Sequence, residues 1–384
     1  MEMEHVFEQG PIRPPSEAKS LLLRVTRNCP WNRCAFCHSY HGAKFSIRSV
    51  EEVRKDIDEA KRAADEIQRI SWALGEGGGI TDAVIDRVFR DGEVSVDSLR
   101  SVAAWLYFGG ESVFLQDANS IILKTDDLVE ILEYLKKTFP GVTRVTSYCR
   151  SKTACRKSVE EFRRLKAAGL TRIHIGLESG YDPLLEFIRK GVTAEEHIEG
   201  GRRIVASGIS LSEYVIPGLG GTQWSREHAL ETARVLNAIN PDYIRLRTLQ
   251  VRRETELHRM MKDGRFTPLP EEDVVREIRL FIERLDGIES RIVSDHILNL
   301  LEELEGKLPE DRERLLGIID DYLALPEDDR LVFRLGRRKG IYRGLRDLSD
   351  RRTYDILKRA IDDYREGEPG KLDRDLHRIM HHYI

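Results

Sequence analysis

Long apolar runs are absent from this chain. No stretch approaches the roughly 18 consecutive apolar residues that a membrane-spanning helix needs, so no membrane partner is expected. Residues 1–8 are polar and acidic and lack the apolar core of a signal peptide, which predicts a cytoplasmic protein. Cysteine is scarce, five in 384 residues. That is too few for a disulfide scaffold and fits a reducing compartment. The sequence shows no internal repeat and no low-complexity linker. Neither sign of charge dominates, since the net charge is −4. Such a balance argues against gross attraction to nucleic acid but leaves room for a local basic patch.

What is present is a core-forming composition, 40% hydrophobic, and one recurring pattern. Short apolar or β-branched runs at 21–26, 113–116, 144–148, 172–177, 212–216 and 243–249 have the length and composition of strands. Helices lie between them. Ser49 with Glu52, Ser158 with Glu161 and Thr193 with Glu196 form capping boxes. Gly169 and Gly208 stand where helices end. Val50, Val53, Ile57, Ala60, Ala64 and Ile67 recur on one helical face. Six strand–helix units predict an α/β fold with parallel strands. A partial or complete barrel and a doubly wound open sheet both fit, and both bind ligands at the C-terminal strand ends. The expected organisation is an N-terminal segment 1–17, a strand–helix body 18–289 with a glycine-containing insertion at 71–110, and an all-helical extension 290–384.

Three of the five cysteines, Cys29, Cys34 and Cys37, lie within nine residues directly after the first strand. Thiolates are soft ligands suited to zinc or to iron–sulfur clusters. Three is one fewer than a closed structural site takes. On a four-iron cluster three thiolates leave one iron open to a ligand. A zinc site completed by His38 or His41, and plain buried thiols, stay open on spacing alone.

At these residues the chain resembles the radical S-adenosylmethionine (SAM) superfamily, especially the branch of Elp3, MiaB and oxygen-independent coproporphyrinogen oxidase. Its usual signature is C-x3-C-x2-C with an aromatic before the last cysteine. Here the spacing is C-x4-C-x2-C, and Phe36 takes the aromatic place. The resemblance covers residues 18–250 and implies a partial (β/α)6 barrel, a [4Fe-4S] cluster on the three cysteines, and SAM on the open iron. It implies reductive cleavage of SAM to methionine and a 5′-deoxyadenosyl radical that abstracts hydrogen.

The SAM-binding residues that the resemblance implies fall at three strand ends and at Lys190 beyond the second of them. After the second strand, Gln116, Asp117, Ala118, Asn119 and Ser120 occupy the place of the glycine-rich turn that binds the SAM amino group. A literal near-match, Gly109-Gly110-Glu111-Ser112, precedes that strand and reads as the turn into it. Glu178, ending the fourth strand, stands at the ribose position, where a carboxylate can accept from two hydroxyls. Lys190 stands where a cation meets the methionine carboxylate. Ile216 and Gly218 lie in the turn beside the adenine.

Candidate substrate residues come from the remaining strand ends. Tyr148 or Cys149 could relay a hydrogen atom, and Cys155 could pair with Cys149. Arg245 and Arg247, two apart on one strand, project from one face and suit a carboxylate or phosphate. The segment from Arg334 to Arg343 is basic, contains Tyr342, and could hold RNA or an anionic small molecule. Ser294, Asp295 and His296 have the residue types of a hydrolase triad, but adjacency in sequence gives no reason for them to assemble. No cobalamin-binding segment and no second cysteine triplet is detected. The expectation is hydrogen abstraction from an anionic small or medium-sized substrate, with flavodoxin or ferredoxin as reductant. A tRNA-modifying enzyme and a zinc-binding interaction protein are the alternatives.

Overall fold

The computed structural model describes residues 6–90, 97–366 and 371–382. The strands are β1 (Leu21–Arg24), β2 (Thr26–Arg27), β3 (Ser46–Ile47), β4 (Ser112–Gln116), β5 (Arg144–Cys149), β6 (Leu170–Glu178), β7 (Ser210–Val215), β8 (Tyr243–Leu246), β9 (Arg291–Val293) and β10 (Gly306–Lys307). Eight of them follow the sheet order β1-β4-β5-β6-β7-β8-β9-β10, and β2 pairs with β3 apart. The pairing is parallel from β1 to β6 and from β7 to β9, and β10 runs antiparallel to β9. The six-unit α/β expectation therefore holds.

The chain divides into two compact units. The first comprises Met1–Asn32, Ser39–Ile175 and Glu199–Leu211. Its core is the fully buried face of Leu21, Leu23, Val113, Leu115, Ile173 and Ile175, each burial contributing about 1.5–3 kcal/mol. Helix Val50–Ala73 begins at the expected Ser49–Glu52 capping box and buries Val53, Ile57, Ala60, Ala64 and Ile67. The 71–110 insertion carries helices Asp82–Arg90 and Asp97–Tyr107.

The second unit comprises Arg33–His38, Gly176–Ile198 and Ser212–Ile384. Here the expectation of an all-helical 290–384 segment fails. Arg291–Val293 is a strand that continues the sheet, with Ile292 beside Ile244. Three residues are too few to show alternation, and a partner strand distant in sequence supplies the hydrogen bonds. Beyond it the segment is helical in Arg312–Ala324, Glu327–Arg338, Arg351–Glu366 and Lys371–His382.

The basic stretch on helix Glu327–Arg338 is turned inward. Arg338 donates to Glu271 Oε1 (Nε, 3.0 Å) and to the Leu298 carbonyl (2.8 Å), and Arg334 also pairs with Glu271. Arg337 binds Glu302 (2.8 Å) and the carbonyls of Leu300 and Tyr342. Arg337, Arg338 and Tyr342 are buried. These guanidinium groups hold the fold together, which corrects their reading as a surface for RNA. Sequence could not reveal this because the neutralising Glu271 and Glu302 lie more than thirty residues away.

Candidate active site

In the first unit, β2 leads into Cys29 through Asn28, which adopts a positive φ of 67°. Asn28 donates its backbone N–H to the buried carboxylate of Asp117 (2.9 Å). The other residues expected in the strand-two turn are equally committed. Gln116 accepts from the Gly10 amide (2.8 Å) and donates to the Ile12 carbonyl (2.7 Å). Asn119 accepts from the Arg150 amide (3.0 Å) and donates to Thr153 (2.9 Å). Ser120 donates to the Leu115 carbonyl (3.1 Å). Their side chains hold the protein together, leaving the backbone and half-buried Ala118 to meet a ligand. Gly109 and Gly110, at φ 102° and 67°, close helix Asp97–Tyr107 at the N-terminal side of β4, as their sequence reading expects.

Tyr148 and Cys149 are consecutive on β5 and so point to opposite faces. Tyr148 lies edge-on to Phe114 (5.2 Å) and near His174 (5.9 Å). Cys149 is buried, and its thiol donates to the Arg150 carbonyl (3.3 Å). Cys149 and Cys155 are not joined in a disulfide.

In the second unit, the middle of the cysteine motif is anchored by its backbone. Ala35 donates to the Ile188 carbonyl and accepts from the Leu257 amide, both at 2.8 Å. Phe36 packs against two apolar clusters, one containing Ile188, Ile216 and Leu219 and one containing Leu257 and Phe266. Cys37 closes a turn onto the Cys34 carbonyl (3.1 Å).

Glu178 ends β6 at a φ of 65°, and Lys190 follows Arg189 at 54°, positions that favour glycine and cluster where function over-determines the backbone. Lys190 Nζ meets Glu178 Oε1 at 2.8 Å, both side chains mostly buried. A Cβ on Gly176 would meet the Glu178 carboxylate, which would have to shift. Glu213 on β7 is fully buried, and neither carboxylate oxygen has a hydrogen-bond partner. Burial first, and the charge of Glu178 second, push it well above the usual carboxylate range.

The β7 turn is braced. His228 accepts at Nδ1 from Ser179 (2.8 Å) and donates from Nε2 to the Ile216 carbonyl (3.0 Å). The amide of Gly218, at φ 84°, donates to Glu277 (2.7 Å), which also accepts from Ser225 (2.6 Å).

Arg245 and Arg247 part company. Arg245 is buried, bridged to Asp295 (2.6 Å) and donating to Ser212 (3.2 Å). Its charge is neutralised within the protein. Arg247 lies beyond the end of β8, half-buried, with no carboxylate partner among the described residues. Nearby His296 is pushed down to about 3 by burial and then by the Arg247 charge. Ser294 binds the Leu301 carbonyl while Asp295 takes Arg245, so no hydrolase triad forms. Glu213, His228 and Glu277 escaped the sequence reading, and Asp295 entered it only as a residue type of a triad that does not form. Of the first three, only Glu213, a lone acid in an otherwise apolar run, left a trace there.

Residues 23–233 match the Radical SAM superfamily. The chain belongs to that superfamily. Among curated relatives, the tRNA uridine(34) acetyltransferase of Methanocaldococcus jannaschii is 28% identical over 120 residues, 31% of this chain and 22% of that protein. The 4'-phospho-dehydrooxetanocin synthase of Priestia megaterium is 25% identical over 196 residues, 50% of this chain and 22% of that protein. The chain thus spans less than a quarter of the length of either relative. Among solved structures, the cobalamin-dependent radical enzyme OxsB with aqua-cobalamin and SAM bound aligns over 96% of this chain and 59% of that chain, with 14% identity and a TM-score of 0.45.

As a radical SAM enzyme the chain binds a [4Fe-4S] cluster and SAM. Its residues fit that group. Cys29, Cys34 and Cys37 are in no disulfide and each is partly exposed, and thiolates are the soft donors that such a cluster takes. Among the described residues no three His, Cys, Asp or Glu side chains gather around the place of a single metal ion. Superfamily membership sets aside the zinc-binding interaction protein. No helix of the described residues is long and apolar enough to cross a membrane.

Proposed function

We propose that this enzyme abstracts a hydrogen atom from a small or medium-sized substrate carrying a carboxylate or phosphate. The observation that carries the substrate class is Arg247, a half-buried guanidinium without a carboxylate partner among the described residues, past the C-terminal end of β8. A guanidinium fork favours such anions. Arg247 replaces the Arg245–Arg247 pair in this role because Asp295 already satisfies Arg245.

When bound, the reduced cluster supplies the electron that splits SAM into methionine and a 5′-deoxyadenosyl radical. The chain's own residues bind and orient. Glu178 accepts from the ribose hydroxyls, and Lys190, tied to it, faces the methionine carboxylate. The braced Ile216–Gly218 turn gives the adenine a backbone surface. Tyr148 and Cys149 are the candidates to relay a hydrogen atom. A ferredoxin or flavodoxin delivers the electron.

Anaerobic protein with a loaded cluster, reduced by dithionite, is expected to convert SAM to 5′-deoxyadenosine and methionine. A loaded, reduced protein that forms no 5′-deoxyadenosine with or without candidate substrates overturns the proposal. A second reading, tRNA modification, draws on the similarity to the tRNA uridine(34) acetyltransferase of Methanocaldococcus jannaschii. Profiling RNA nucleosides and anionic metabolites in a deletion strain separates the two.

The two half-sites are separable by calorimetry. Glu178→Ala removes an acceptor for two hydroxyls, each bond to a charged group contributing about 1.5–3 kcal/mol. SAM affinity is expected to fall at least roughly tenfold. Arg247→Ala is expected to leave SAM affinity intact and to raise KM for the anionic substrate. Loss of SAM binding in the arginine variant alone would reverse the assignment.

A further inference from the structure

Asp117 carries a carboxylate that is 1% exposed and completely surrounded by donors. Oδ2 accepts from Arg24 Nε (2.9 Å), Arg24 Nη2 (2.6 Å) and the Asn28 backbone amide (2.9 Å). Oδ1 accepts from the Tyr40 hydroxyl (3.1 Å). Three of these four bonds fall on Oδ2 and one on Oδ1. Buried in this way, the carboxylate is not open to the ammonium of a SAM molecule. The donors, by contrast, have one thing in common. Asn28 immediately precedes Cys29, Tyr40 follows Cys37 by three residues, and Arg24 ends the strand that leads to both. The phenol of Tyr40 is buried. A Cβ on Gly10 would strike the same carboxylate, so the N-terminal segment seals it from water.

We propose that Asp117 is a positioning residue for the cluster. It fixes the chain on either side of the cysteine motif, and its buried negative charge lowers the cluster's reduction potential. Buried hydrogen-bonded charges near a cluster are among the levers that set its potential. Arg24 only partly cancels this charge, because it is shared with Glu8 (2.9 Å). The proposal rests on attachment of the cluster at Cys29, which the iron content of the unaltered protein checks separately.

The test uses anaerobically reconstituted full-length protein without SAM. Iron and sulfide content, the electron paramagnetic resonance spectrum of the reduced state and the midpoint potential are measured. Asp117→Asn removes the charge but keeps the size, and the midpoint is expected to move to a more positive value. Tyr40→Phe keeps the charge but strips one of its donors, and the midpoint is expected to move to a more negative value with full iron content. A residue that merely stabilised the fold would move neither midpoint. Asp117→Asn protein that is folded by circular dichroism yet fails to hold iron supports the positioning half, and Tyr40→Phe then decides the electrostatic half. If Asp117→Asn does not fold, the sign of the Tyr40→Phe shift decides alone. A fully loaded Asp117→Asn with unaltered midpoint and spectrum, or an unmoved Tyr40→Phe midpoint, overturns the proposal.

Discussion

Replacing any one of Cys29, Cys34 or Cys37 with Ala is expected to abolish both the iron content and the formation of 5′-deoxyadenosine. On the proposed assignment each thiolate is one of three protein ligands on the cluster, so a single loss leaves two. The effect should exceed the roughly 10–100-fold loss seen when a residue behind a metal ligand is removed. The fold should survive, because the motif is held independently of its thiols. Ala35 is anchored by backbone bonds at Ile188 and Leu257, and Asn28 by the Asp117 carboxylate. Circular dichroism should therefore be unaltered while iron and sulfide fall to background. Cys149→Ala and Cys155→Ala are controls that should keep their iron. Stoichiometric zinc without iron or sulfide in anaerobically prepared protein would overturn the assignment.

Glu271→Ala should be the most destabilising single change in the second unit. Glu271 begins helix Glu271–Arg284 and compensates two guanidinium groups, Arg334 and Arg338, whose side chains are 14% and 3% exposed. Removing one partner of a buried pair leaves an uncompensated charge and costs about 3–5 kcal/mol. The melting temperature should drop by about 10 °C. The two arginines hold the Glu271 carboxyl down to about 2 against the cost of its burial. A carboxyl depressed on folding stabilises the protein above its unfolded value, about 4.3, and loses that contribution as pH falls toward its folded value. The gap between the unaltered protein and Glu271→Ala should be widest above about pH 5 and should narrow as pH falls toward about 3. Melting curves at several pH values test this. A gap that does not depend on pH would mean that packing, and not charge, is what Glu271 supplies.

Much of this protein was written locally. The capping boxes at Ser49 and Ser158 form as their spacing predicts, because a cap needs only a hydroxyl and a carboxylate three residues apart. Six strands were legible because each has enough residues to show an apolar run. The cysteine motif, Phe36, Glu178 and Lys190 were legible because their chemistry is uncommon and their spacing is short-range. The Glu178–Lys190 bond at 2.8 Å joins two residues named from sequence alone. Tertiary structure decided which charges are free. Arg245 and Arg247 look equivalent two residues apart, and only the approach of Asp295, fifty residues on, neutralises one of them. The basic run at Arg334, Arg337 and Arg338 reads as a surface until Glu271 and Glu302 fold against it. Asp117 reads as a ligand residue until Arg24, Asn28 and Tyr40 close around it. The common reason is that a charge is defined by its partners. Those partners converge from separate strand ends and helices, at distances in sequence that no local pattern encodes.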